Sequence, residues 1–187
     1  MTTSPDATDP RSDLVRAALA ELVDGGRSAV SLRAVARRAG VSHAAPGYHF
    51  RDRAGLLAAV AADGFRRLAA SLDAAVPDDR DPLAELGERY IRFATAHPAL
   101  YELMFRPEEL DREAPELRDA QAASLRALIH ATGPAGTPTT ATVISWAFAH
   151  GVASLSIQGA ISALPLGDAR DLGALVDEFT HGIRAAG

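Results

Sequence analysis

An all-helical fold is predicted by three features of the sequence. Apolar residues recur at intervals of three and four almost throughout, strict apolar–polar alternation is missing, and valine and isoleucine are scattered rather than clustered. With 187 residues the chain is long enough to bury a core in one large domain or two smaller ones. About nine helices are expected. The opening MTTSPDATDP lacks the basic and apolar regions of an export signal, so residues 1–10 are expected to form a disordered tail on a cytoplasmic protein. The chain has no cysteine, which excludes disulfides and thiolate metal sites and fits a reducing compartment.

The elements follow in order. Leu14, Ala18, Leu19, Leu22 and Val23 line one side of a first helix, which Gly25-Gly26 ends. Ser31 can cap a second helix that Gly40 stops, and Ser42 a short third. Asp52 can cap a fourth that runs to about Ala75, before the polar break PDDRDP. Asp81-Pro82 is a start signal, an acid at the cap followed by a proline where no N–H is needed, and that helix should end near His97-Pro98. A shorter helix around ALYELMF, a charged one from about Glu113 to His130 and the break TGPAGTP come next. From Ala127 to Gly167 there is no charged residue, and the later part of this run is long enough to cross a bilayer. His150, Gln158, several serines and the absence of flanking basic clusters favour instead a helix buried on most sides by protein. Asp168 can cap the last helix, whose stripe is Leu172, Leu175, Val176, Phe179 and Ile183.

The charge distribution points to a function. Six arginines and one aspartate give residues 27–53 a charge of +5, which leaves −10 for the rest of a chain whose total is −5. A phosphate backbone is the partner such a focus fits. Within it, Ala36 and Gly40 supply what two helices crossing near a tight turn require: little bulk at the crossing and tolerance of positive φ at the turn. Val35, Ala39 and Val41 are expected to face inward, with His43 and Ala44 presented at the start of the next helix. This is a helix-turn-helix layout, whose second helix enters the major groove of DNA.

The segment Leu32–Leu57 resembles the tetracycline-repressor (TetR) family in Tyr48-His49-Phe50, Arg53 and Leu56-Leu57. The closest resemblance spans about residues 11–60. WAFAHG at 146–151, preceded by HPALYELMF at 97–105, looks like the ligand-sensing domain of the subgroup named for its Trp, His and Gly (WHG). The resemblance implies a tail at 1–10, a three-helix DNA-binding domain at 11–57, and a ligand-binding and dimerisation domain at 58–187 joined to it through a long helix. It implies a homodimeric repressor that a small-molecule inducer releases from a palindromic operator. The chain departs from the family at Ala45 and Gly47, where Thr and Tyr are usual, and Pro46 stands in the recognition helix. His43 is then the strongest base-edge donor there, with Ala44 and Pro46 available to thymine methyls.

Expected DNA contacts are Ser31, Arg33, Ser42, His43, Ala44, Gly47, Tyr48, His49 and Arg53, the two serines chiefly as caps. The expected ligand site is Tyr90, Phe93 and His97 on one helix, Tyr101, Met104 and Phe105 on the next, and Trp146, His150 and Ser154 on the uncharged helix. Aromatic rings with a few polar tips suit an aromatic or amphipathic molecule of low charge. The last two helices are expected to form the dimer interface through Ile157, Ile161, Leu172, Leu175, Val176, Phe179 and Ile183. No cofactor, metal site or catalytic residue is expected: no phosphate loop, GxSxG or HExxH occurs, and Asp78-Asp79 and Glu108-Glu109 read as solvated charge. The alternatives to a regulator are a helical protein-interaction module or a small-molecule enzyme without DNA binding.

Overall fold

A computed structural model describes residues 9–132, 137–163 and 172–185. Among these the regular structure is helical, with nine α-helices and three short 3₁₀ turns. Residues 1–8 of the tail expected at 1–10 and the Asp168 cap lie outside the described residues, as do the side chains of Leu172 and Ile183.

The chain divides into two compact units. The first holds the described residues up to Phe65 together with Ala99–Ala120, the second Arg66–Pro98 with the residues from Gln121 onward. The segment expected to belong wholly to the C-terminal domain is thus shared between the units.

In the first unit, α1 (Pro10–Gly25) starts where the Asp9 carboxylate accepts from the N–H groups of Arg11 and Ser12, so the helix opens one residue before the expected boundary at 11. Gly26, at φ 71°, ends it. Its inner face is Leu14, Val15, Ala17, Ala18 and Leu22. Val23, expected on that face, is exposed, because one position past Leu22 is a 100° rotation away from the core. α2 (Leu32–Ala39) is capped by Ser31, whose Oγ accepts from Ala34 N–H at 3.1 Å. It ends in a left-handed Gly40, φ 69°, with Val41 N–H reaching back to the Ala36 carbonyl at 3.0 Å. α3 (Ala45–His49) is a single five-residue turn. α4 (Arg53–Leu72) begins at Asp52, which accepts from Gly55 N–H at 2.9 Å, and ends three residues before the expected Ala75. Residues 56–62 of α4 are all buried. α6 (Pro98–Met104) closes on α4 at Gly64, where a β-carbon would come within 2.6 Å of Met104 Sδ.

In the second unit, α5 (Pro82–Ala96) is capped by Asp81, whose carboxylate accepts from Leu83 and Ala84 N–H at 2.8 and 3.2 Å. Arg89 fastens it to the last turn of α4 and the residues after it by donating to the carbonyls of Ser71, Ala74 and Ala75. α7 (Pro115–Thr132) passes from the first unit into this one. α8 (Thr140–Ile157) opens with a reciprocal cap between Thr139 and Thr142 and packs on α5. α9 (Leu172–Ala185) packs on α5 as well, with Val176 against Gly87. Among the described residues α8 is the one helix long and apolar enough to cross a membrane. The expectation that protein covers most of it fails in the single chain: Val143, Ile144, Trp146 and Leu155 are exposed.

Candidate functional site: a helix-turn-helix head

The helix-turn-helix is held from beneath by small and apolar side chains. Ala36 and Val35 are fully buried, so α2 lies close on α1. Pro46 and Phe50 plug α3 into the same core, and the Arg11 guanidinium lies 5.1 Å from the centre of the Phe50 ring. Pro46 is therefore not available to a thymine methyl. Val41 is exposed where an inward side chain was expected, because the left-handed turn at Gly40 swings it out. Ser42 does not cap α3. Ala44 holds the cap position and offers no side-chain bond, which leaves the exposed Ser42, His43 and Ala44 in the turn before the helix.

The outward face carries the polar groups. Tyr48 is 85% exposed, and His49 and Gly47 are exposed beside it. Arg33 and Arg37 stand one turn apart on the exposed side of α2, and among the described residues neither has an ion pair or side-chain hydrogen bond. Arg37 was not among the expected contacts, although its i, i+4 relation to Arg33 places it on the same face.

The other four arginines of the basic stretch are engaged internally. Arg38 donates to Glu21 at 2.7 Å and Asp24 at 2.6 Å, and these acids raise its pKa further. Arg51 meets Asp52 at 3.1 Å and Asp111 at 3.6 Å. Asp52 is held below the usual carboxylate range, first by the Gly55 N–H and then by Arg51. Arg27 pairs with Glu109. Arg53, expected on phosphate, instead donates to the carbonyls of Val30 at 2.9 Å and Arg27 at 2.7 Å, and pairs with Glu109 at 3.4 Å. It is a structural tie. Glu109 is correspondingly half-buried between two guanidiniums and is not the solvated acid its polar surroundings suggested.

The nine expected ligand residues are divided between the units. Tyr101, Met104 and Phe105 pack in the first, where Phe105 meets Phe65 edge-on at 5.5 Å. In the second, Tyr90 and Phe93 are buried, and the Tyr90 hydroxyl lies 3.0 Å from His150 Nδ1. Burial lowers the His150 pKa, disfavouring its charged form. Ser154 is half-buried on α8, and His97 is exposed at the end of α5 with its ring 5.1 Å from Phe93. Trp146 is exposed, with one edge toward His150. Ser145, which the sequence reading passed over, is buried with no hydrogen-bond partner for its Oγ among the described residues. Of the expected interface residues, Val176 is turned into the chain's own core, and Phe179 stacks on Phe148 at 3.9 Å. Ile157, Ile161 and Leu175 are half-buried.

A basic, aromatic-tipped helix-turn-helix joined to a helical second unit defines a DNA-binding transcriptional regulator. Residues 14–60 match the family described as bacterial regulatory proteins, tetR family. Residues 83–180 match the tetracyclin repressor-like C-terminal domain. The chain belongs to the tetR family. A structure of a protein of unknown function from Rhodococcus sp. RHA1 is 33% identical, covers 96% of this chain and 98% of its own, and superposes with a TM-score of 0.77. A regulatory protein, SCO4313, is 25% identical over 90% of this chain and 93% of its own, with a TM-score of 0.72. A TetR variant from Acinetobacter baumannii AYE, in complex with minocycline, shares the fold at 20% identity, 96% and 98% coverage and a TM-score of 0.63. No curated protein matches the chain in sequence.

Proposed function

We propose that this regulator is a cytoplasmic homodimeric repressor, released from a palindromic operator when a small organic molecule of low charge enters the second unit. The observation that carries the DNA reading is the exposed face formed by Arg33, Arg37, His43 and Tyr48, one cation pair on α2 beside a solvent-facing turn and helix. Arg33 and Arg37 supply phosphate contacts, and His43 supplies the base-edge donor. Ser42, Ala44, Gly47, Tyr48 and His49 are exposed in the same turn and helix. Ser31 acts through its cap.

Support for an uncharged ligand comes from the interior of the second unit. Tyr90, Phe93, Ser145 and His150 place hydroxyls and an imidazole whose charged form burial disfavours among apolar side chains, while the acids and arginines of α5 are matched with one another and with Arg80. Burying an unmatched charge there would be costly. The exposed Val143, Ile144, Trp146 and Leu155 of α8 support pairing of two copies, which would cover them. Trp146 then serves the interface more than the ligand site.

Three measurements test this. Duplexes enriched by the protein from a random library should be palindromic, and enrichment of no duplex refutes the operator. Light scattering should give twice the chain mass, and a single-chain mass refutes the dimer. Ile144→Asp should give a folded single chain with weakened operator binding.

A further inference from the structure

The acids that hold the DNA-binding head do not come from the head. The turn Pro107–Glu109 and the start of α7 lie some fifty residues beyond it in sequence, yet they belong to the same compact unit. Three carboxylates of this segment reach arginines of the head: Glu109 reaches Arg27 and Arg53, Asp111 reaches Arg51, and Glu116 reaches Arg11. The backbone joins too, Asp111 N–H donating to the Ala54 carbonyl at 3.2 Å.

Glu109 is the centre of this arrangement. Arg27 sits in the connection between α1 and α2, and Arg53 is the first residue of α4. Arg53 already grips that connection through the carbonyls of Arg27 and Val30. Glu109 bridges the two guanidiniums from the other side, and all three side chains are partly shielded from solvent. The clasp sets how the loop leading into α2 is seated against the start of α4. Those two elements flank the helix-turn-helix, so their relation fixes where α2 and α3 are presented. Without the carboxylate, Arg27 and Arg53 would be two like charges side by side with nothing between them.

We propose that Glu109 is a positioning residue for operator recognition: it touches no DNA, and it holds the helix-turn-helix in register by clamping Arg27 to Arg53. This rests on the head being the DNA-reading part, and it assigns a recognition role to a residue outside the helix-turn-helix. A positional role predicts a different outcome from a merely stabilising one. If Glu109 only stabilised the fold, its loss would lower the folded fraction and weaken binding to every duplex equally. If it sets register, binding to the selected duplex falls while binding to unrelated DNA persists, because phosphate contacts tolerate small displacements and base contacts do not.

The experiment compares Glu109→Gln with wild type on two probes, the duplex that wild type enriches from a random library and a scrambled duplex of the same composition. The ratio of the two affinities should fall about tenfold, the scale of one lost base contact. Affinity for scrambled DNA and its salt dependence should stay within about twofold of wild type. Glu108→Gln, at an exposed neighbour whose ion pair among the described residues is with Arg106 at 3.6 Å, should behave as wild type. If Glu109→Gln does not fold, Glu109→Asp, one methylene shorter and unable to span both arginines, should show the same selective loss. Equal weakening on both probes, an unchanged ratio, or a reduced salt slope in the folded variant would overturn the proposal. Failure of wild type to enrich any duplex would strike the operator reading itself.

Discussion

Two adjacent arginines on α2 should differ sharply in what they contribute to DNA affinity. Arg37 is exposed with no partner among the described residues, whereas Arg38 is tied to Glu21 and Asp24 on α1. Each arginine that neutralises a phosphate contributes about 0.9 to the slope of log affinity against log salt. Arg37→Ala should therefore reduce the slope by ~0.9 per chain, or ~1.8 for a two-fold dimer. Between 50 and 200 mM salt, a fourfold change, wild type would then lose about twelvefold more affinity than the variant, which a fluorescence-anisotropy titration resolves easily. The substitution is otherwise mild, since alanine favours helix and Arg37 holds nothing in place. Arg38→Ala should leave the slope unchanged and instead lower stability slightly, because it breaks two solvent-screened pairs to α1. Equal slope changes for the two variants, or none for Arg37→Ala, would refute the division of the six arginines into free and engaged.

Two further outcomes probe packing and pH. Gly64→Leu should destabilise by about 1–3 kcal/mol through overpacking against Met104 and Leu100, while Gly182→Ala, with nothing within 4 Å of a β-carbon on α9, should stabilise by about 0.5–1 kcal/mol, both read by chemical denaturation. The half-buried His150 has its folded pKa below the unfolded value of about 6.5, so the unfolded chain takes up the proton first and stability falls as pH drops through 6.5 toward the folded pKa. His150→Phe should flatten the melting temperature between pH 7 and 5, and an undiminished slope there would show that burial of this ring is not its source.

Helix starts and stops were legible because capping is local chemistry. Ser31, Asp52 and Asp81 accept from N–H groups two or three residues on, and Gly26 and Gly40 take the positive φ their turns require. The helix-turn-helix was legible for the same reason, together with the charge focus around it. Ser42 is the instructive exception. A cap signal was present, but seating Pro46 and Phe50 in the core placed the start of α3 at Ala45 and left Ser42 in the turn.

What the sequence by itself determined is the helical class, the caps and the face of α2 that carries Arg33 and Arg37, because each depends on neighbours within one or two turns. Tertiary structure alone decided which arginines are free. Arg33, Arg38 and Arg53 look alike in sequence, and only the approach of Glu21 and Asp24 from α1, and of Glu109 from some fifty residues away, separates a cation open to phosphate from one held by the fold. It likewise decided that Tyr101, Met104 and Phe105 pack with α4 in one unit while Tyr90 and His150 pair in the other. Helical periodicity tells which residues share a face, but which faces meet depends on the path of the whole chain. Partners distant in sequence leave no local pattern from which to read them.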